Sequence, residues 1–262
     1  MLRSRIIPCL LVHNGGLVKT VGFKDAKYVG DPINAVKIFN EKEVDELIVV
    51  DIDASVKGRE PDFRLIENLA AECRMPLCYG GGVKDEQQAE KIISLGVEKV
   101  ALSSALIETP TLASRISEAI GKQSVVFVLD VKKNVFGKYS VYTHNARRNT
   151  KQDPFRLART IESQGVGEIV INSIDKDGTM TGYDGKLVER MRATVDAPIT
   201  VLGGAGSLDD IHSLIDQFKI IGAAAGSLFV FKGKYRAVLI SYPGRDEKQV
   251  VAGLGPAARL AA

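Results

Sequence analysis

Two similar stretches of the sequence decide the fold: Leu47-Ile48-Val49-Val50-Asp51-Ile52-Asp53 and Glu168-Ile169-Val170-Ile171-Asn172-Ser173-Ile174-Asp175. Two further pairs of segments are similar at the same spacing of half a chain: Gly80-Gly81-Gly82 with Gly203-Gly204-Ala205-Gly206, and Ser104-Ala105-Leu106 with Ser227-Leu228-Phe229. Self-similarity at a fixed spacing indicates repeated structural units. The 262 residues therefore divide into two halves of similar structure.

Short runs that are apolar at nearly every position recur along both halves, and each is followed by a helical pattern. Such runs are typical of parallel strands that are buried on both faces. The eight predicted strands are Ile6–Val12, Leu47–Ile52, Pro76–Tyr79, Lys99–Leu102, Val125–Asp130, Glu168–Asn172, Ile199–Leu202 and Ile220–Ala224.

Residues that favour the first turn of a helix stand between these strands. An Asp, Ser or Thr side chain can cap a helix, and a Pro directly after it suits the first helical position. The predicted helix starts are Asp31-Pro32, Asp85, Thr109-Pro110, Asp153-Pro154 and Ser207.

Eight strand–helix alternations are compatible with a (β/α)8 barrel or with an open, doubly wound sheet. The internal repeat favours the barrel, because two halves of four units close naturally and an open sheet has no such symmetry. We predict an α/β fold, a single (β/α)8 TIM barrel built from two similar half-barrels. The barrel is expected to span residues 1–252, with residues 253–262 as a flexible C-terminal tail.

The composition is that of an ordinary soluble protein, with 45% hydrophobic and 26% charged residues and a formal charge of +3. This near balance of charge gives no reason to expect nucleic acid. With neither a secretory signal nor a membrane span in the sequence, the cytoplasm is the expected location. Cys9, Cys73 and Cys78 lack metal-ligand spacing, and no metal or cofactor is predicted.

Two glycine-rich segments predict phosphate sites. Active residues of a barrel follow the carboxyl ends of its strands, and glycines with free N–H groups at a helix start favour an anion. Because the two segments belong to related halves, we predict two phosphate sites on opposite sides of one mouth, and hence an elongated bis-phosphate ligand. The residues of these sites are Gly81, Gly82, Ser103, Ser104, Gly203, Gly204, Gly226 and Ser227.

Asp130 ends the fifth predicted strand, where its carboxyl group would face the mouth. It could act as a general acid or base if its surroundings tune its pKa. The alternative is a carboxylate that caps the next turn. The sequence contains neither a Gly-x-Ser-x-Gly turn nor a His-Glu-x-x-His pair, which argues against a serine hydrolase and a zinc peptidase.

Two pairs of aspartates follow the second and sixth strands, Asp51 with Asp53 and Asp175 with Asp177. One member of each pair is expected to accept hydrogen bonds from loop amides. We favour Asp51 and Asp177 for ligand contact.

The remaining candidates lie in predicted loops at the mouth or in the motif that contains Asp177. Lys19, in the predicted loop after strand one, could pair with a phosphate or close over the substrate; the alternative is a solvated surface lysine. Asn172 and Gly178 complete the predicted substrate-binding set. His13 and His144 are weaker candidates for substrate contact.

These motifs together make the sequence similar to the HisF family, the cyclase subunit of imidazole glycerol phosphate synthase. The similarity extends from Arg3 to about Phe231. It implies a lyase-type enzyme of histidine biosynthesis. Such an enzyme converts a bis-phosphorylated ribulosylamino imidazolecarboxamide precursor to imidazole glycerol phosphate and aminoimidazole carboxamide ribotide. A HisH-like glutaminase docked at the N-terminal face of the barrel would supply ammonia through the core.

The motifs that carry this similarity are Ile6-Ile7-Pro8-Cys9-Leu10, Gly30-Asp31-Pro32, Asp45-Glu46-Leu47, Tyr79-Gly80-Gly81-Gly82, Asn172-Ser173-Ile174-Asp175-Lys176-Asp177-Gly178-Thr179 and Gly203-Gly204-Ala205-Gly206. In this family, two basic and two acidic side chains at the strand starts form an ammonia gate. The matching positions here are Arg5, Glu46, Lys99 and Glu168. The alternative is a purely structural ring of ion pairs, because charges pointed at a barrel axis carry a desolvation cost unless they pair.

One position departs from the family pattern. The family uses two aspartates as acid and base, on strands one and five; Asp130 matches the second, but the first falls on Leu11, which cannot exchange a proton. Ser103-Ser104 also replaces Asn-Thr, Asn172 replaces Thr, and Leu202 replaces Ser. This pattern resembles HisF-like paralogues encoded with surface-polysaccharide genes, in which barrel and glutaminase supply ammonia to a third enzyme.

Two functions therefore stand open. In the first, the chain is a synthase subunit in which Asp130 acts alone or with a substitute such as His13, Lys19 or Asp51. In the second, it is a catalytically altered paralogue that channels ammonia to a third enzyme forming acetamidino sugars of lipopolysaccharide or other surface polysaccharide. Leu11→Asp should raise cyclase turnover in the first case and have little effect in the second. A different phosphosugar substrate is the remaining alternative.

Overall fold

The computed structural model describes residues 3–253. Its strands, in chain order, are β1 (Arg5–His13), β2 (Gly16–Val21), β3 (Lys24–Gly30), β4 (Leu47–Asp51), β5 (Leu77–Gly80), β6 (Lys99–Leu102), β7 (Val125–Lys133), β8 (Tyr139–Thr143), β9 (Arg148–Asn149), β10 (Glu168–Ser173), β11 (Ile199–Leu202), β12 (Gly222–Ala225), β13 (Phe231–Lys232) and β14 (Ala237–Val238). Its helices are α1 (Pro32–Glu41), α2 (Phe63–Glu72), α3 (Glu86–Ser94), α4 (Ser104–Glu108), α5 (Leu112–Ile120), α6 (Pro154–Glu162), α7 (Gly185–Arg192), α8 (Leu208–Phe218), α9 (Ser227–Val230) and α10 (Arg245–Val251).

Eight of these strands are parallel and close into a barrel in the order β1-β4-β5-β6-β7-β10-β11-β12. The barrel closes where β12 pairs with β1, with Arg5 opposite Gly222 and Pro8 opposite Ala225. Helices connect successive strands, so the predicted (β/α)8 barrel is confirmed. The first half-barrel contains β1, β4, β5 and β6, and the second contains β7, β10, β11 and β12.

Most of the helix starts follow the predicted capping chemistry. The Asp31 side chain accepts from Asn34 N, and Asp85, Asp153 and Ser207 cap their helices in the same way. Each such cap satisfies backbone N–H groups that lack partners within the helix. The prediction at Thr109-Pro110 was wrong.

Thr109 closes the short helix α4 instead of starting the next one. Its N–H donates to Ala105 O, which is the bond of a helix end. Helix α5 begins three residues later, at Leu112, and its cap residue Thr111 makes no side-chain cap bond. The Pro therefore separates two helices, in agreement with its inability to continue a helix.

The hydrophobic core has two parts. The larger part lies between the strands and the helices and includes Phe39, Leu69 and Phe127. The smaller part fills the inside of the barrel, where the buried thiols of Cys9 and Cys78 contact aliphatic side chains. A packed, largely apolar interior is usual for this architecture.

Each half-barrel carries an antiparallel hairpin on its first strand, and neither hairpin was predicted. Strands β2 and β3 extend β1, and β8 and β9 extend β7. The first hairpin reaches the loop after β10, where Gly22 N donates to Asp177 O at 2.9 Å. The second reaches the end of β4, where Asn145 Nδ2 donates to Ile52 O at 2.8 Å. The two hairpins thus cover the mouth from opposite sides.

The predicted flexible tail at residues 253–262 lies outside the described residues, except for Gly253. Among the helices within residues 3–253, none has the length and apolar character that crossing a membrane requires.

Candidate active site

A cavity opens at the carboxyl ends of the barrel strands, which is where active sites of this architecture lie. It brings together the predicted substrate-binding set and Asp130, but not the weaker candidate His13, and the roles of these residues stay predictions. These residues are Lys19, Asp51, Gly81, Gly82, Ser103, Ser104, Asp130, Asn172, Asp177, Gly178, Gly203, Gly204, Gly226 and Ser227.

The first predicted phosphate site, called here the first cradle, consists of Gly81 and Gly82 after β5 and Ser103 and Ser104 after β6. Gly81 has a φ of +120°, and a Cβ atom there would lie 2.4 Å from Asp51 O. The neighbouring backbone therefore requires a glycine at this position. The sequence argument had attributed this glycine to the approach of an anion.

The second cradle consists of Gly203 and Gly204 after β11 and Gly226 and Ser227 after β12. A Cβ atom on Gly204 would lie 2.2 Å from Gly182 O, so this glycine is also required by backbone contact. Ser227 is buried, and its hydroxyl has no hydrogen-bond partner within residues 3–253. A buried hydroxyl without a partner is costly, which suits a site completed by a ligand.

Lys19 differs from its prediction in two respects. It lies in strand β2 and not in a loop, and it is buried. Its Nζ is 2.5 Å from Asp177 Oδ1. Asp177 Oδ2 accepts from Thr20 Oγ1 at 2.8 Å and from Phe23 N at 3.1 Å. The lysine is therefore held at the second cradle by an ion pair, so it is neither a loop residue that closes over the substrate nor a solvated surface residue, and its contact with a phosphate stays a prediction.

All four aspartates of the two pairs accept a hydrogen bond from a backbone amide, so amide binding alone does not distinguish the members of each pair. Asp51 accepts from two amides, at 2.8 and 3.2 Å. Asp53, Asp175 and Asp177 accept from one backbone amide each. What separates the favoured residues from their neighbours is position, since Asp51 and Asp177 line the cavity.

Asp130 lines the cavity from β7 and is paired with an amide side chain. Asn172 Nδ2 donates to Asp130 Oδ1 at 2.9 Å. Burial raises the pKa of Asp130 to about 7, the nearby charge of Asp177 adds to this rise, and the Asn172 hydrogen bond opposes it. A carboxyl group with such a pKa can exchange a proton at neutral pH. Asn172 Oδ1 is buried without a hydrogen-bond partner among the described residues.

Leu11 occupies the position in β1 that Asp130 occupies in β7. Leu11 pairs with Val18 of its hairpin and with Val50 of the next barrel strand. Asp130 pairs in the same way with Tyr142 and Asn172. The first half-barrel therefore presents an apolar wall where the second presents a carboxyl group and an amide.

The two histidines near the mouth are placed differently. His13 ends β1, and its Nδ1 lies 2.7 Å from Asp53 Oδ1, outside the cavity lining. His144 lines the cavity from the turn after β8. Two lining residues that sequence reasoning missed, Phe23 and Asn145, also come from the hairpins. They carry no local motif, because only the folded hairpins bring them to the mouth.

The four predicted gate residues form a closed network at the opposite end of the barrel. Arg5, Lys99 and Glu168 are the first residues of their strands, and Glu46 directly precedes β4. Each cation contacts both carboxylates: Arg5 contacts Glu46 and lies 2.8 Å from Glu168. Lys99 Nζ lies 2.8 Å from Glu46 and 2.8 Å from Glu168. We call these four residues the charged ring.

Pairing within the charged ring outweighs the effect of burial. Burial acts to lower the pKa of Arg5 and Lys99, but the two glutamates raise both pKa values above their usual range. Burial acts to raise the pKa of Glu168, but Arg5 and Lys99 bring it below its usual range. Arg5, Lys99 and Glu168 therefore stay ionised at neutral pH, and pairing of charges is the condition for a stable buried network.

Comparison with known proteins identifies relatives over nearly the whole chain. A family model described as histidine biosynthesis protein matches residues 5–236. A Vibrio vulnificus protein, provisionally named imidazole glycerol phosphate synthase subunit hisF3, is 58% identical over 95% of this chain and 96% of its own length. A provisionally named subunit hisF2 of Pseudomonas aeruginosa is 54% identical over 95% and 100% of the two lengths. The imidazole glycerol phosphate synthase subunit HisF of Lactococcus lactis subsp. cremoris is 40% identical over 87% and 89%.

Proposed function

This chain belongs to the HisF family, and from that premise we propose that it is the cyclase subunit of an imidazole glycerol phosphate synthase. It would convert a bis-phosphorylated ribulosylamino imidazolecarboxamide precursor and ammonia to imidazole glycerol phosphate and aminoimidazole carboxamide ribotide. The observation that carries this proposal is a mouth with two related cradles and Asp130 in the lining of the same cavity. We expect the reaction to take place in the cytoplasm.

The two cradles would hold the two phosphates of the precursor. Backbone N–H groups at the starts of α4 and α9 supply donors without side-chain caps. In the second cradle the unpartnered Ser227 hydroxyl can donate to a phosphate oxygen. The methylene groups of the Lys19 side chain lie beside Gly226, where a Cβ atom would be 2.8 Å from Lys19 Cε. The pairing of Lys19 with Asp177 fixes the side chain there.

Asp130 would carry the proton transfers of ring closure and cleavage. Its pKa of about 7 makes both its protonated and its ionised forms accessible at neutral pH. A positioned acid or base accelerates a reaction by roughly 10²–10⁴-fold. The hydrogen bond from Asn172 orients the carboxyl group toward the mouth.

Ammonia would come from a glutaminase subunit docked below the charged ring. Above the ring, the barrel interior is lined by apolar side chains and by the thiols of Cys9 and Cys78. Neutral ammonia can pass through such an interior far more readily than ammonium, because burying a charge is costly. The ring would then admit ammonia when one of its ion pairs opens.

The test is steady-state turnover of the precursor by this chain alone, with ammonium salt at high pH in place of a glutaminase. We expect saturable turnover that Asp130→Asn reduces by roughly 10²–10⁴-fold. Binding of the precursor without turnover would contradict the cyclase function.

A second function is favoured by Leu11 together with the rim of the mouth. Exposed large side chains stand on three turns or strands there: Tyr28 in β3, Phe136 between β7 and β8, and Tyr235 between β13 and β14, exposed by 65%, 91% and 89%. Residues 131–152 and 231–239 contain nine Lys and Arg and no Asp or Glu. A basic rim with apolar tips suits an acidic protein partner. Under this proposal the barrel delivers ammonia to a third enzyme that forms acetamidino sugars of surface polysaccharide.

The second function predicts a separate result. Phe136→Ser should reduce glutamine-dependent amidination of the sugar by that enzyme and leave ammonium-dependent turnover of the precursor unchanged. Amidination that proceeds at the same rate without this chain would contradict the second function.

A further inference from the structure

A histidine faces the same cavity as Asp130. His144 is partly buried in the turn that follows β8, two residues beyond Tyr142, which pairs with Asp130. Its Nδ1 lies 3.0 Å from Thr143 Oγ1. Its Nε2 has no hydrogen-bond partner within residues 3–253. One ring nitrogen is therefore held, and the other is available to a ligand.

The other ionisable groups that line the cavity are occupied or inert. Lys19 and Asp177 form an ion pair, and Asp51 accepts two backbone amides. Burial raises the pKa of the Cys9 thiol to about 12. Asp130 and His144 are thus the two groups in the lining that can exchange protons without breaking a contact that holds the mouth together.

The turn that presents His144 has an unusual backbone that is fixed from outside. His144, Asn145 and Ala146 have φ values of 55°, 54° and 60°, a conformation that residues other than glycine rarely adopt. Asn145 ties this turn across the mouth to Ile52 O. Strained backbone of this kind persists where the surrounding structure holds it, and it is found often at functional sites. Local conformational preference therefore does not explain the placement of His144.

We propose that His144 is a catalytic residue, the second proton-transfer group of the cavity, acting with Asp130 in place of the carboxyl group that Leu11 lacks. This inference rests on the proposed cyclase function. Imidazole is suited to the role because histidine is the side chain that commonly exchanges protons near neutral pH. The neighbouring charged groups in the lining are Asp51, Asp130 and the Lys19–Asp177 pair.

The assigned step is the addition of ammonia to the ketone carbon of the ribulosyl group, which forms a C–N bond and releases the ketone oxygen as water. Asp130, as carboxylate, takes a proton from the adduct nitrogen, while His144, as imidazolium, donates a proton to the alkoxide oxygen. Asp130 then protonates the resulting hydroxyl, which leaves as water when the C=N bond forms. The iminium returns one proton to His144, so both residues regain their starting charge.

The test uses His144→Asn in the full chain, with turnover of the precursor measured across pH at a constant concentration of free ammonia. We expect kcat to fall roughly 10²-fold and the pH dependence of kcat to change, because one of the two proton-transfer groups is removed. The dissociation constant of the precursor should stay unchanged. His212→Asn is the matched control, because His212 lies on the outer helix α8 and contacts Val251 O at 3.0 Å.

A second variant distinguishes chemistry from a change of structure. Leu11→Asp added to His144→Asn should restore at least a tenth of the wild-type kcat, because it supplies a carboxyl group at the symmetric position. Wild-type turnover that survives His144→Asn, or that is lost instead in His13→Asn, would overturn the assignment. Absence of turnover in the wild-type chain would overturn the proposed function and this inference with it. Retained turnover in His144→Asn would overturn the inference alone.

Discussion

The two half-barrels have the same elements but different pairs of side chains at the mouth. In the first half Leu11 stands beside Val50 on the neighbouring strand, and in the second half Asp130 stands beside Asn172. Both first strands continue into a hairpin that crosses the mouth. The fold therefore accommodates either an apolar or a polar pair at this level.

The difference between the two pairs distinguishes side chains that stabilise the barrel from side chains that the site needs for its chemistry. Burying a carboxyl group and an amide costs free energy unless every polar atom finds a partner, and Asn172 Oδ1 has none among the described residues. The Leu11–Val50 pair shows that apolar side chains can occupy the equivalent positions without the cost of burying polar atoms. The polar pair in the second half is best explained by chemistry at the mouth.

Transplanting the apolar pair into the second half should give the largest effect. Asp130→Leu with Asn172→Val is expected to lower precursor turnover by roughly 10²–10⁴-fold, because the general acid or base is lost. Unfolding by urea should show equal or higher stability, since a buried polar pair is replaced by an apolar one. A large loss of stability would show that the pair of Asp130 and Asn172 stabilises the barrel, and this would contradict a role in chemistry alone.

At the charged ring, in contrast to the mouth, both half-barrels contribute to one network. Lys99→Met should lower the free energy of unfolding by roughly 3–5 kcal/mol, because it leaves two buried carboxylates short of a partner. The exposed pair of Lys219 and Asp216 provides the control, and Lys219→Met should cost less than about 1 kcal/mol. Equal losses in the two variants, measured by urea unfolding, would show that the ring is not a buried network.

Low pH should remove the contribution of the charged ring to the free energy of unfolding. The folded-state pKa of Glu168 lies below its unfolded value, so its contribution is present above the unfolded pKa and is lost as pH falls through the folded pKa. We expect the difference in stability between wild type and Glu168→Gln, measured by urea unfolding, to be largest at neutral pH. It should shrink as the pH is lowered into the acid range. A difference independent of pH would contradict the lowered pKa.

Restoring the symmetry of the mouth should have a smaller effect of opposite sign. Leu11→Asp is expected to raise kcat about tenfold, less than the roughly 10²–10⁴-fold typical of a positioned acid or base, because His144 already supplies part of that function. Steady-state turnover with ammonium salt measures this change in kcat. No change in kcat would favour the ammonia-delivery function.

The smallest expected effect comes from a substitution in the second cradle alone. Ser227→Ala should raise KM for the precursor several-fold, because a typical hydrogen bond makes a net contribution of roughly 0.5–1.5 kcal/mol. The free protein should keep or gain thermal stability, since a buried hydroxyl without a partner is removed. Ser207→Ala is the control: it removes a helix cap, so it should lower thermal stability and leave KM unchanged. An unchanged KM in Ser227→Ala would remove this hydroxyl from the phosphate site.

The barrel could be predicted from the sequence because its strands are buried on both faces and appear as continuous apolar runs. The hairpins escaped prediction because β2 and β3 carry charged residues and lie outside the barrel wall. Lys24, Asp25 and Lys27 gave this segment the character of a loop. The Thr109-Pro110 signal was ambiguous, since the same two residues can end one helix or start another.

The members of the site could be predicted from their places at strand ends, but their partners could not. Lys19 and Asp177 are far apart in the sequence and meet only because the first hairpin crosses the mouth. The predicted glycines line the cavity, and at Gly81 and Gly204 contact with neighbouring backbone also requires a glycine. The exposure of His144 to the cavity depends on a left-handed turn that no local pattern marks.

The central claim is that one mouth holds two phosphates, one in each half-barrel. The most direct measurement is ³¹P NMR of the bis-phosphorylated precursor during titration with the Asp130→Asn chain, which prevents turnover. We expect both phosphorus resonances to shift with the same dissociation constant, and Ser227→Ala to reduce the shift of one resonance alone. A shift confined to one phosphorus, or no shift at all, would contradict a two-cradle site.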